Sequence, residues 1–201
     1  MADLEKNILV VIPVNEDHKK FLEEKAASGN KNCCVRYVNG SDVTAEDVKE
    51  ANVIIGNVDP ALVKEAKNLE LFQLNSAGAD QYIKPGILPE QAVLANATGA
   101  YGLAVSEHML ALTFDLIRRF NQYHANQAKH IWQSMGNITS VEGSTILVLG
   151  LGDIGGDYAR KCHALGAHVI GGPRPNPDKT RYFDGQHTLG PPVEALLRGG
   201  F

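Results

Sequence analysis

No apolar run in this 201-residue chain approaches the roughly 20 residues a membrane-spanning helix needs, so a membrane-bound protein is not expected. Cysteine is scarce: three residues, two of them the adjacent Cys33 and Cys34, have neither the number nor the spacing of a disulfide framework or a zinc site. They read as small apolar core groups. Positive charge is in deficit, 19 Lys and Arg against 23 Asp and Glu, and the cations are scattered without a basic stripe, which argues against a nucleic-acid partner. The basic pairs Lys19-Lys20 and Arg118-Arg119 read as solvated helix faces. The start, Met-Ala-Asp-Leu-Glu-Lys, lacks the basic and apolar regions of a secretory signal, and a cytoplasmic protein is expected. Repeats and low-complexity segments are absent. What remains is the composition of an ordinary globular protein, 44% hydrophobic and 21% charged, long enough to bury roughly 70% of its unfolded surface.

The most informative stretch is Ser144 to Gly156, S-T-I-L-V-L-G-L-G-D-I-G-G. Ile146, Leu147, Val148 and Leu149 read as a parallel strand covered on both faces, because no polar alternation interrupts them. Gly150, Gly152 and Gly155 follow at G-x-G-x-x-G spacing, which suits a sharp turn, close backbone approach to a pyrophosphate, and tight helix-on-strand packing. A helix carrying Ile154, Tyr158, Ala159, Cys162 and Leu165 on one side comes next, then a strand over Gly166 to Gly171. A dinucleotide's phosphates would lie at the helix N-terminus, where free N–H groups and the helix dipole favour an anion.

Upstream, strand and helix alternate. Asn7 to Ile12 is a strand; Asn15 caps a helix over Glu16 to about Ala27 with Phe21 and Leu22 facing inward; Cys33 to Val38 is a second strand. Thr44-Ala-Glu-Asp47 forms a capping box for a helix to about Ala51, Asn52 to Gly56 is a strand, and Pro60 opens a helix to Ala66. Strands follow at Leu71 to Leu74 and Ala92 to Ala95. The alternation predicts an α/β fold with a parallel sheet. Asn75-Ser-Ala-Gly-Ala-Asp80 stands at the carboxyl end of a strand, where such sheets gather ligands, and its backbone N–H groups could hold a carboxylate; by itself it reads more readily as a plain turn. A long helix from about Leu103 to His124, apolar over much of its circumference, predicts burial on several sides, as at a domain junction or subunit interface. Ala125 to Ser140, with the single Trp132, reads as a polar connecting arm. Toward the end come a proline-stiffened loop over Gly172 to Pro177 and a short helix over Pro192 to Arg198.

Asn75-Ser-Ala-Gly-Ala-Asp80, Val105-Ser-Glu-His-Met109, Arg118-Arg119 and Val148-Leu-Gly-Leu-Gly-Asp-Ile-Gly155, in that order, resemble the D-isomer-specific 2-hydroxyacid dehydrogenases. The resemblance covers the whole chain but about the first two-thirds of a typical member. It implies a flavodoxin-like substrate domain over residues 1–99 and an incomplete Rossmann-type NAD(P)-binding domain, a doubly wound parallel sheet, over residues 100–201. It also implies a cleft that takes a small 2-oxo or 2-hydroxy acid beside nicotinamide, and a homodimer through helix 103–124. Carried over by motif, Ser76, Ala77 and Gly78 would hold the substrate carboxylate, and Gly150, Gly152, Asp153, Ile154 and Gly155 would line the pyrophosphate.

The family's arginine, carboxylate and histidine match no position of this sequence, so no residue is assigned a catalytic role and the chain alone is expected to be inactive. His18, His108, His124, His130, His163, His168 and His187 are expected to be structural or surface residues. No metal site is expected. The second strand of the nucleotide motif, Val169-Ile-Gly-Gly-Pro-Arg174, ends without the carboxylate that usually bonds a ribose 2′-OH. Arg174 could meet a 2′-phosphate, which gives NADP a modest preference over NAD, or it is a surface residue held between prolines. Two other readings stay open: a non-catalytic remnant that binds nucleotide or pairs with a full-length homologue, and a different Rossmann family such as a short-chain reductase. The glycine motif near residue 150, after a full α/β domain, speaks against the second.

Overall fold

The structure is a computed structural model that describes residues 6–28, 32–172 and the backbone of 185–186. The chain divides into two compact units, Met1–Thr98 and Gly99–Phe201.

The first unit runs β1 (Lys6–Val10), α1 (Glu16–Ala27), β2 (Cys33–Tyr37), α2 (Ala45–Glu50), β3 (Val53–Ile55), α3 (Pro60–Val63), β4 (Leu71–Gln73) and β5 (Val93–Ala95). Every strand pair is parallel and the spatial order is β2-β1-β3-β4-β5, the flavodoxin-like winding. Burial follows position in the sheet. Central Val10, Ile54 and Phe72 are fully buried, whereas edge strand β2 alternates between half-buried and exposed residues. The Phe72 ring meets Tyr82 edge-on at 5.0 Å, and the Tyr82 hydroxyl donates to Val58 O at 2.9 Å. Burial raises the Tyr82 pKa.

Local signals start the helices. Asn15 Oδ1 accepts from His18 N–H at 2.8 Å, Thr44 and Asp47 form the reciprocal capping box, and Asp59 Oδ1 accepts from Ala61 N–H at 2.8 Å ahead of Pro60. Two expectations need correction. Phe21 does not face inward: it is 58% exposed, α1 buries no residue, and the Lys25 ammonium lies 5.5 Å from the Phe21 ring centroid. The helix begun by Pro60 ends at Val63 instead of Ala66, passing into turns such as Ala66 N–H to Val63 O at 3.0 Å.

The second unit contains α4 (Gly102–Ile117), α5 (Phe120–Gln127), β6 (Thr145–Leu149), α6 (Asp153–Ala164), β7 (His168–Gly172) and β8 (Gly185–Gln186), with β6, β7 and β8 parallel in that order. Its core gathers Val148, Leu151, Tyr158, Ala159, Cys162 and Val169, against which Met109, Phe114 and Ile117 of α4 pack.

The single long helix is not continuous: Arg119 adopts a left-handed conformation (φ 58°) between α4 and α5. Its Nε donates to Asn137 O at 3.1 Å, so the following arm holds the break open. Among the described residues of the second unit, α4 packs on α6 and leaves Leu103, Leu112 and Leu116 (73%) exposed along with Phe120 of α5. Nor is β6 covered on both faces: among the described residues it has one strand neighbour, and Leu149 is 55% exposed. Leu165 is likewise exposed, because α6 has already ended at Ala164. The expected loop 172–177, helix 192–198 and residue Arg174 lie outside the described residues apart from Gly172, the end of β7. Among the described residues, no helix is long and apolar enough to cross a membrane.

Candidate functional site

In the second unit, the strand β6 feeds α6 through the glycine turn, and each glycine answers to a different constraint. Gly150 has φ 94°, a backbone conformation that side-chain-bearing residues rarely adopt, and its N–H donates to Gly172 O at 3.1 Å, tying the turn to the end of β7. A Cβ at Gly155 would stand 1.9 Å from Gly150 O, so α6 reaches this close to the turn only without one. Gly152 is the reverse case. A Cβ there would meet nothing within 4 Å, leaving open space over the backbone.

Gly152 is also the N-cap of α6, extended at φ −74° and ψ −154°, and no side chain caps the helix. The first helical bond runs from Gly156 N–H to Gly152 O at 3.0 Å, and a helix N-terminus of this kind is where an anion is favoured. Gly152, Asp153, Ile154 and Gly155 thus stand together at the start of α6. Asp153 is half-buried, and its carboxylate lies where a Cβ on Gly102 would be, 2.5 Å from Oδ1. This close approach joins the first turns of α4 and α6.

Two polar links hold α6 on α4. Thr113 Oγ1 and the Tyr158 hydroxyl are 2.7 Å apart, and Lys161 Nζ donates at 2.5 Å to Ser106 Oγ, whose residue is fully buried. Burial raises the pKa of both Tyr158 and Cys162, so each stays protonated at neutral pH as a structural group. Gly102 and Thr113 lie outside the sequence motifs, and Ser106 lies within one that gives it no role of its own. The signal was there: small or hydroxylated residues at Gly102, Ser106 and Thr113, near helical spacing, mark the α4 face that another helix approaches.

In the first unit, the loop after β4 is shaped by asparagines. Asn57, after β3, and Asn75 exchange side-chain and backbone bonds: Asn57 N–H donates to Asn75 Oδ1 at 2.8 Å and Asn75 N–H to Asn57 Oδ1 at 3.1 Å. Asn57 Nδ2 donates to Ser76 Oγ at 3.0 Å, and Ser76 Oγ donates to Gly78 O at 2.8 Å. Asn96 Nδ2 donates to Ala77 O at 2.8 Å. The carbonyls of Ala77 and Gly78 are thus engaged, while their N–H groups donate to no group among the described residues. Gly78 also has open space where a Cβ would stand. Two successive amides left in this way form a cradle suited to a carboxylate. The sequence pointed to Ser76, Ala77 and Gly78 but not to Asn57 or Asn96, whose contacts are long-range. Among the described residues, no group of three or more His, Cys, Asp or Glu could hold a metal ion.

Comparison with known proteins shows what the chain is similar to. A family model described as "D-isomer specific 2-hydroxyacid dehydrogenase, NAD binding domain" matches residues 110–196. D-3-phosphoglycerate dehydrogenase of Mycobacterium leprae is 29% identical over 166 residues, 79% of this chain and 31% of that protein. The enzyme of the same name from Archaeoglobus fulgidus is 25% identical over 174 residues, 81% of this chain and 31% of that protein. The chain therefore spans about a third of the length of these curated relatives. Among solved structures, a D-isomer specific 2-hydroxyacid dehydrogenase family protein from Aeromonas salmonicida subsp. salmonicida superimposes with a TM-score of 0.74 at 25% identity, covering 95% of this chain and 59% of that one. D-lactate dehydrogenase from Aquifex aeolicus shares the fold, with a TM-score of 0.68 at 18% identity over 92% of this chain and 56% of that one.

Proposed function

The chain belongs to the D-isomer-specific 2-hydroxyacid dehydrogenase family, and on that premise we propose that it serves an NAD(P)-dependent oxidoreductase acting on a small 2-hydroxy or 2-oxo acid. The observation that carries the reading is the three-way division of labour in the glycine turn: a left-handed Gly150, a Gly155 with no room for a Cβ, and an open Gly152 at an uncapped helix end. The amides of Gly152, Asp153, Ile154 and Gly155 would receive the pyrophosphate, and the nicotinamide cofactor would supply or accept the hydride. In the first unit, Ser76 would shape the loop whose Ala77 and Gly78 N–H groups receive the substrate carboxylate, orienting the acid without themselves exchanging a proton.

The finer parts of the proposal are these. NADP is modestly preferred over NAD, supported by a β7 sequence, His168–Gly172, that contains no carboxylate. The working protein is cytoplasmic and a homodimer through α4 and α5, supported by exposed Leu112, Leu116, Phe120 and the fully exposed Trp132 of the following arm. Residues 1–201 alone do not turn over substrate, because none is assigned to move the proton. The same exposed strip favours one second reading, a non-catalytic chain that pairs with a full-length homologue.

The test is to purify the chain, titrate it with NADH and NADPH by fluorescence, and follow absorbance with a panel of 2-oxo acids. Saturable binding of both cofactors, tighter for NADPH, with no turnover is expected. Absence of binding overturns the cofactor reading, and turnover within tenfold of a full-length relative overturns the assignment of no catalytic residue. A monomer in sedimentation at micromolar concentration rejects the dimer.

A further inference from the structure

A helix leaves the N–H groups of its first turn without partners inside it, and the local sequence ordinarily answers them with a capping side chain or an acidic residue. In the second unit α4 has neither of its own. Tyr101 at its N-cap makes no side-chain capping bond, and its first turn holds no acidic residue. Its opening residue, Gly102, is nevertheless buried.

The group that stands there is a carboxylate from another helix. A Cβ on Gly102 would meet Asp153 Oδ1 at 2.5 Å, Cγ at 2.8 Å and Oδ2 at 2.9 Å, so the carboxylate lies against the side of Gly102 that a larger residue would cover. Asp153 is itself the first residue of α6, next to the N-cap Gly152. One negative charge is thus placed at the start of two helices, where both dipoles favour it. α4 contains no lysine or arginine, and the two of α6 are engaged further along that helix: Arg160 stands 3.9 Å from Asp157, and Lys161 Nζ donates to Ser106 Oγ.

This placement bears on the cofactor. Asp153 follows Gly152 directly, and consecutive Cα atoms are about 3.8 Å apart, so its carboxylate falls within roughly 10 Å of an anion seated over Gly152. A carboxylate accepts hydrogen bonds and donates none, so at that range it meets a pyrophosphate only as a like charge. Resting on the proposed role of the glycine turn, we propose that Asp153 is a positioning residue: its carboxylate seats the start of α6 on Gly102, and the same charge weakens the hold on the pyrophosphate.

Asp153→Asn keeps the shape of the side chain and removes its charge. NADPH should then bind about three- to tenfold more tightly at about 10 mM salt, where the screening length is ~30 Å, and the gain should shrink below about 1.5-fold at about 1 M salt, where it is ~3 Å. Without cofactor the variant should melt at a lower temperature than wild type at low salt, because two helix ends lose a favourable charge. Tighter binding joined to lower stability separates this role from a merely structural one, in which loosening the turn weakens both. Gly102→Ala tests the seat. Alone, it should leave the melting midpoint unchanged or lower, since the new Cβ displaces the carboxylate; in the Asp153→Ala chain it should raise the midpoint by roughly 2–6 °C, the ordinary gain of alanine over glycine in a helix.

Unchanged or weaker NADPH binding by Asp153→Asn at low salt, or a gain that persists at 1 M salt, overturns the charge role. Equal effects of Gly102→Ala in the two backgrounds overturn the seat. If NADPH binds neither wild type nor Asp153→Asn, the reading of the glycine turn fails and the effect on affinity fails with it, while the paired Gly102 variants still decide the seat.

Discussion

Gly155→Ala and Gly152→Val should fail in opposite ways, and the difference can be worked from the backbone. In an ordinary helix interior, alanine in place of glycine stabilises by roughly 0.5–1 kcal/mol. At Gly155 the new Cβ would stand 1.9 Å from Gly150 O and 3.4 Å from Val148 Cγ1. The first neighbour is backbone within the turn, so relief requires α6 to move off β6 or the turn to open. Overpacking of this kind costs about 1–3 kcal/mol, and a net loss of about 1–2 kcal/mol after the helix gain lowers the melting midpoint of a unit this size by roughly 5–15 °C.

At Gly152 the same test finds no atom within 4 Å and an extended backbone that valine can adopt. The loss of glycine at the N-cap should cost less than about 1 kcal/mol. The branched side chain instead stands in the space proposed for the pyrophosphate, and NAD(P)H affinity should fall at least roughly tenfold. Thermal unfolding by circular dichroism and cofactor titration by fluorescence, run on both variants, separate the two effects. A Gly155→Ala chain that melts at or above the wild-type midpoint, or a Gly152→Val chain that binds cofactor as wild type does, would refute this division of roles.

Three further outcomes follow from the same contacts. Thr113→Val removes the 2.7 Å partner of the buried Tyr158 hydroxyl, which keeps its bond with Cys162, and should destabilise the second unit by about 0.5–1.5 kcal/mol, read as a lower denaturant midpoint; an unchanged midpoint would show that the α4–α6 link is idle. Burial raises the folded-state pKa of Cys162 and Tyr158, so their contribution is fully present below the unfolded thiol and phenol ranges and is lost as pH climbs toward the folded values. Stability should therefore fall above about pH 9, and a melting midpoint that is flat from pH 7 to 10.5 would contradict this. Asn57→Ala removes the bonds to Asn75 and Ser76 and should weaken glycerate binding at Ala77 and Gly78 roughly five- to tenfold, and wild-type affinity in a folded variant would remove Asn57 from the cradle.

The elements of the first unit were legible because their signals are local. Asn15, the Thr44/Asp47 box and Pro60 each act within one helical turn, and the strand–helix alternation leaves little choice but a parallel sheet. The misreadings share the opposite cause. The long helix breaks at Arg119 because a bond to Asn137, 18 residues on, supports a backbone conformation that the apolar periodicity of 103–124 does not encode. Phe21 looked like a core residue by hydropathy, yet α1 lies on the unit as a charged helix with no buried residue. In the candidate site, the glycines and the Ser76–Gly78 loop were readable as motifs. Asn57 was not, since its partners at Asn75 and Ser76 meet it only after β3 and β4 have paired.

The most direct test of the account is to titrate 15N-labelled chain with NADPH and observe the backbone amides of Gly152, Asp153, Ile154 and Gly155. The account predicts that these four move first and saturably, and that Gly152→Val abolishes the movement while the resonances of the first unit stay in place. Saturable binding that leaves these amides unmoved, or that persists in Gly152→Val, would contradict it.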